Sequence, residues 1–198
     1  MNNYEYIIAS LPVLSSDWKI SKGIDYEGII SMIRSQCSKK DNSLIDILTG
    51  GFDEQRLGPE FYEEALSSRC GFIKEFFTYD LKVRNAKVRY LNAQLGRPAD
   101  QDIFSDPKCT PEETAQMDGV FMTNDILERE KGIDNLLWDK IDSMVIFNYF
   151  DINVILAFIA KLSIITRWLK LDEATGREMF RTLVQEVRGT FKGVEYDE

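Results

Sequence analysis

The chain has 198 residues, 24 Lys and Arg against 33 Asp and Glu, and no histidine, giving a formal net charge of −9. At 44% hydrophobic and 29% charged it has the composition of a globular protein, long enough for one large domain or two small ones. The missing histidine excludes Ser-His-Asp and Cys-His nucleophiles and His-bearing metal sites, and a pI near 4.7 argues against general nucleic-acid binding.

The opening Tyr4-Glu5-Tyr6-Ile7-Ile8-Ala9-Ser10-Leu11-Pro12 has strand-like composition and is stopped by proline. One short strand cannot make a sheet, so it reads as a short extended N-terminal arm or the start of an irregular helix. From Ile24 onward the pattern is helical. Ile29, Ile30, Ile33 and Cys37 recur at spacings of three and four, and Asp41 is placed to cap a second helix ended by Gly50-Gly51. Pro59 fits the first turn of a third helix.

A long helix is expected from Cys70 to Leu95, stopped by Gly96 and Pro98. Phe72, Phe76, Val83 and Tyr90 project into one sector; Lys74, Thr78, Lys82, Asn85, Arg89 and Asn92 take the opposite face. Asp80, Arg84 and Lys87 fall inside the apolar arc. Asp80 and Arg84, acid then base at i,i+4, can form a structural ion pair. The plainer alternative is an arc wider than the core, with long side chains reaching solvent at its edge.

Thr110-Pro111-Glu112-Glu113 has capping-box spacing. A helix or broken pair follows from Asn124 to about Phe147, with Gly132 as the point of interruption. Further helices run from Asp151 to Leu171 and from Asp172 to about Thr190. Ile152 through Ile165 is apolar in nearly every direction, as in a central helix packed on all sides. Asn148, Asp151, Lys161 and Arg167 argue against a membrane span there. Tyr79-Asp80 and Phe150-Asp151 share an aromatic-then-Asp entry into an apolar stretch.

The fold class is therefore all-α: an elongated multi-helix bundle in two packed helical lobes, residues 1–98 with the arm and residues 99–198. The wide apolar stripes allow the lobes to share one core. Charge is segregated, with six bases against two acids in residues 74–97 and twelve acids against four bases in residues 100–142. Solvated faces fit this pattern; so does complementary pairing between the lobes or with another protein. Cys37, Cys70 and Cys109 form neither a disulfide framework nor a metal site, in keeping with a reduced cytoplasmic protein. No P-loop, dinucleotide fingerprint or calcium loop appears, so neither cofactor nor metal is expected.

Several blocks resemble an uncharacterised bacterial family encoded among V-type ATP synthase subunits. They are Tyr4-x-Tyr6-Ile7-Ile8-Ala9-Ser10-Leu11-Pro12-x-Leu14; Phe77-x-x-Asp80-Leu81-x-Val83-Arg84-Asn85 with Asn92 and Gly96-Arg97; and Leu127-Glu128-Arg129-Glu130-x-x-Ile133-Asp134-x-Leu136-x-Trp138. The last are Tyr149-Phe150-Asp151-Ile152, Lys161-Leu162, Arg167-Trp168-x-x-Leu171-Asp172 and Gly176. The resemblance implies a non-catalytic, all-helical component of a V-type ATPase, similar to the C (d) subunit that joins the central stalk to the membrane ring. It would be cytoplasmic and held at the inner membrane through the complex, with other ATPase subunits as partners and no nucleic acid or small-molecule substrate. Arg84, Lys87 and Arg89 on the basic helix, with Glu128 and Glu130 on the acidic segment, are the candidate partner-binding residues. The alternatives are a small helical enzyme using a carboxylate cluster with Mg²⁺, distinguished by three or more converging carboxylates, and a stand-alone helical adaptor.

Overall fold

The computed structural model describes residues 4–21, 23–170 and 181–182. The helix expected from Asp172 to about Thr190 lies outside them. Among the described residues the fold is all-helical, without strands. The elements are α1 (Tyr4–Ser10), a 3-10 turn (Trp18–Ser21), α2 (Tyr26–Gln36), α3 (Lys39–Gly50), α4 (Pro59–Ser67), α5 (Gly71–Gln94), α6 (Pro111–Phe121), α7 (Ile126–Val145) and α8 (Ile152–Lys170).

The opening segment corrects the extended arm. Tyr4, Ile7, Ile8 and Leu11 stand at i, i+3, i+4 and i+7, and this helical spacing overrides the β-propensity of the residue types. Ile7 is fully buried, and α1 lies against α8. Pro12, just past the end, cannot continue the helix.

Ser38, rather than Asp41, starts α3. The Ser38 hydroxyl accepts from the Asp41 N–H at 3.2 Å, and the Asp41 carboxylate accepts from the Ser38 N–H at 3.1 Å, a reciprocal capping box. The carboxylate belongs to the third position of the helix, so α3 begins three residues earlier than a cap at 41 would place it. At its C-terminal end packing demands a glycine: a Cβ on Gly51 would run into the Phe77 ring on α5. The Thr110–Glu113 capping box forms as its spacing predicts. Helix α7 runs unbroken past Gly132, which lies against Val120 of α6, where a side chain would crowd the crossing.

Helix α8 is the hub. It packs against α1, the 3-10 turn, α2, α3 and α7, and buries residues around its whole circumference from Ile155 to Trp168. By length and composition it could cross a membrane, but most of its surface is covered by the other helices. Helix α5 is the second axis, set against α3, α4, α6 and α7. Its aromatic stripe continues into neighbouring rings: Phe77 edge-on to Phe61 at 5.0 Å, Phe72 stacked on Phe76, and Phe76 on Phe52. Buried apolar residues before and after position 98 form one contiguous cluster, from Ile7 to Trp168.

Candidate functional site

Of the readings open for the charges of α5, pairing within the chain is the one the structure forms for Glu75, Lys82, Lys87 and Arg89. Helix α5 ends in a Schellman motif: Gly96 adopts φ +64°, and the Arg97 N–H donates to the Asn92 carbonyl at 2.9 Å. This turn sends residues 97–108 back along the polar face of α5. Asn92 donates through Nδ2 to the carbonyls of Ala99 (3.2 Å) and Gln101 (2.9 Å), and Asn85 donates to that of Ser105 (2.5 Å). Arg89 binds Asp100 at 3.2 Å and Asp106 at 2.9 Å. Asn85 and Asn92 are almost completely buried, so the connection shields this face from water instead of leaving it solvated.

Beyond the connection α5 also grips α6 and α7, through Lys82 on this face and Lys87 on the apolar arc. Lys82 pairs with Glu113 at 2.8 Å, and Lys87 with Glu130 at 2.6 Å. In the reverse sense, Glu75 on α5 pairs with Lys140 on α7. The basic helix and the acidic segment are thus each other's partners. The Arg89 hydrogen bond holds the Asp106 carboxyl below its ordinary range, and the Asp106 bond in turn raises Arg89. Burial alone would raise Glu113, but the Lys82 bond and the Thr110 N–H outweigh it and bring the carboxyl down. Of the candidate partner-binding residues, Lys87 and Glu130 bind each other, Arg89 binds the connection, and Glu128 pairs with Lys131 one turn on at 2.8 Å.

Arg84, the fifth, lies with its guanidinium 4.6 Å from the centre of the Phe104 ring, and its buried Nε has no hydrogen-bond partner. The direct Asp80–Arg84 pair is not formed. Asp80 instead accepts from the Tyr62 hydroxyl of α4 at 2.6 Å. The reason is geometric: Phe104, delivered by the returning connection, offers Arg84 a face to lie on, and α4 brings a neutral donor to Asp80. Part of the Asp80 surface remains open, yet its carboxyl is enclosed by protein. That desolvation raises it above the usual carboxylate range against the opposing pull of Tyr62, Arg84 and Arg167. Burial, reinforced by Asp80, likewise pushes the Tyr62 hydroxyl far up, so it remains a donor.

The ionic anchor that the residues do build lies elsewhere. Asp134 on α7 is buried and accepts from the Arg167 guanidinium through both oxygens and from the Trp168 Nε1 at 2.5 Å. Trp168 stacks parallel to Trp18, ring centres 6.2 Å apart, and Trp138 sits under the Lys161 ammonium. The three tryptophans and Asp134 line a slot of about 310 Å³. A second groove, about 840 Å³, runs between α5 and α6 over Ala86, Tyr90, Met117 and Phe121 and past the exposed Cys109. Of its cations, Lys82 and Arg89 are already neutralised by Glu113, Asp100 and Asp106, and Lys108 stands at its edge. Burial raises the Cys109 thiol, so it is largely protonated at neutral pH. Among the described residues, no three Asp, Glu or Cys side chains converge on a point that could hold a metal ion.

Sequence reasoning missed both the tryptophan slot and the α5 clamp. Trp18 lies 150 residues from Trp168, with no periodicity linking them, and only the common dependence of Trp168 and Arg167 on one acid could have hinted at Asp134.

A family model described as "Protein of unknown function (DUF2764)" matches residues 52–190. No curated protein and no solved structure matches the chain. The matched span takes in α5, the returning connection, the Asp134–Arg167 anchor and the whole of α8, and the chain belongs to this DUF2764 family of uncharacterised proteins.

Proposed function

We propose that this protein is a non-catalytic subunit of a V-type ATPase or ATP synthase, similar in role to the C (d) subunit that couples the central stalk to the membrane ring. Its place would be cytoplasmic, held at the inner membrane by contacts with other subunits. One observation supports the reading above others: the residues that carry the resemblance form the braces of a stiff helical body. Asn85, Asn92 and Gly96 fasten the connection to α5, Glu130 ties α7 to α5, Asp134 ties α7 to Arg167 and Trp168, and Asp151 caps α8. A coupling element must pass torque or hold subunits without yielding. Packed helices cross-linked by ion pairs meet that mechanical demand, whereas an enzyme site needs converging reactive groups.

On this reading Lys82, Lys87 and Arg89 stiffen the body, and partners are recognised by other surfaces. The test is purification of the tagged full-length chain from its native membranes in mild detergent. Recovery of stalk and ring subunits in fixed ratio supports the coupling role; recovery of the chain without any ATPase subunit overturns it.

A further inference from the structure

The corner between α7 and α8 displays Ile146, Phe147, Tyr149 and Phe150 at 66%, 88%, 73% and 57% exposure. Four large apolar side chains within five residues are not the scattered single exposures of an ordinary surface. The corner is also fixed. The Asn148 N–H donates to the Val145 carbonyl at 2.9 Å, and Asp151 caps α8 by accepting from the N–H groups of Asn153 (3.0 Å) and Val154 (3.2 Å). The Asn148 amide also donates to the Asp151 carboxylate, tying the two sides of the corner together. The Asp of the Phe150-Asp151 entry therefore holds the turn while the aromatic is turned outward.

We propose that this corner is a rigid aromatic anchor that inserts into an uncharged apolar socket on a different protein. Charge defines the socket: residues 143–150 contain no Asp, Glu, Lys or Arg, so the complementary surface has no charge to match. Charge also decides against a bilayer. No Lys or Arg occurs from residue 141 to 160, and the flanking Lys140 and Lys161 are held by Glu75 and Asp142. Among the described residues Arg69 stands on the neighbouring turn, where Cys70 touches Asn153, but one cation is not the basic cluster that draws an acidic protein to anionic lipid.

Area decides against pairing with a second copy. At 150–250 Å² for a fully buried aromatic, the tip offers roughly 400–600 Å², below the ~800 Å² per partner of a standard interface. Two protruding corners would meet only at these tips, whereas a concave surface on a different protein closes round the corner and covers the flanking helix ends as well, with the tip as its central anchor. Tyr149, whose hydroxyl has no partner among the described residues, adds one hydrogen bond to that socket. Because the corner is pre-ordered, docking loses little conformational entropy. The inference rests on the corner alone and stands whether or not the partner is an ATPase subunit.

The test places the photoreactive residue p-benzoylphenylalanine at position 147 of the full-length chain in its own cells, with Val13, exposed but solitary, as control site. Irradiation should join position 147, and not 13, to one other polypeptide, identified by mass spectrometry. The purified polypeptide should then bind the F147S/Y149S double variant at least ~30-fold more weakly, the loss of one or more hot-spot side chains, with the thermal midpoint unchanged. A lipid adduct, a product of twice the chain mass, no adduct, or unaltered affinity of the variant would each overturn the anchor. The identity of the joined polypeptide separately reports on the coupling role.

Discussion

Lys87 on α5 and Glu130 on α7 meet at 2.6 Å, so the most basic helix and the most acidic segment of the chain neutralise one another. Both side chains are about a third exposed, and water screens the contact. A double-mutant cycle with Lys87→Ala and Glu130→Ala should give a coupling near 0.5 kcal/mol in urea unfolding, reduced by half or more in 1 M salt. A coupling indistinguishable from zero at low salt would mean that the pair does not brace the two helices.

Asp80 gives a pH signature of defined sign. Its folded carboxyl is raised above the unfolded value near 4, first by burial, with Tyr62, Arg84 and Arg167 opposing. Between those two values the folded protein holds a proton that the unfolded chain has released, so stability falls as pH rises through the window. Asp80→Asn fixes the neutral form and keeps an oxygen for the Tyr62 hydroxyl. Its melting temperature should exceed that of the wild type at pH 7, and the two curves should converge toward pH 4. Asp134 titrates in both proteins and cancels from the comparison. A variant deficit that widens with pH would show that ionised Asp80 is stabilised.

The clamp on the returning connection is carried by neutral groups. Asn92→Ala removes the two hydrogen bonds that a buried amide donates to the carbonyls of Ala99 and Gln101 and should cost ~2 kcal/mol. Asn85→Ala should cost less, ~1 kcal/mol, because it also removes an amide oxygen that has no partner in the folded state. Both variants should expose residues 97–106 to limited proteolysis at protease levels that leave the wild type intact. Equal resistance in all three proteins would locate the hold on this segment elsewhere, with Arg89 the next group to remove.

What the sequence made legible follows from how far each interaction reaches along the chain. The periodicity of α5 and α8, the Thr110 box and the all-helical class depend on neighbours within four residues and are read directly. Of the two readings of the opening segment, the extended arm fails and the helical start holds, because the Tyr4, Ile7, Ile8, Leu11 spacing outweighs residue preference. Asp41 was assigned one position in the cap when it holds another, since Ser38 and Asp41 both suit a first turn. Asp80 and Arg84 illustrate the harder limit. Their i,i+4 spacing permits a pair, but Tyr62 and Phe104 arrive from 18 and 20 residues away and take both side chains. The segregated charge was visible, and the choice between an internal and an external partner required the path of residues 97–108. The exposed corner at 146–150 lies where one helix is expected to end and the next to begin, and composition cannot distinguish a residue facing the core from one turned outward.

The Asp134–Arg167 contact should respond unequally to loss of its two partners. The Asp134 side chain is 7% exposed and that of Arg167 48%. Removing the arginine strands a carboxylate that is almost wholly enclosed by protein, with the Trp168 N–H as its remaining protein donor. Removing the acid leaves a guanidinium that water already hydrates. Arg167→Met should therefore cost ~3 kcal/mol at pH 7, and Asp134→Asn, which keeps an oxygen for Trp168, only ~1 kcal/mol. Burial already raises the Asp134 carboxyl despite Arg167, and loss of Arg167 raises it further. The Arg167→Met deficit should then shrink as pH falls toward 4, where the stranded acid takes up a proton, while the Asp134→Asn deficit should grow, because the raised Asp134 carboxyl makes the wild type more stable where it is protonated. Tryptophan emission reports both transitions, since Trp168 contacts the acid and stacks on Trp18. If Asp134→Asn proved the costlier change at neutral pH, Asp134 would owe its hold on α7 and α8 to its charge attracting Arg167, and not to Trp168 and the packing around it.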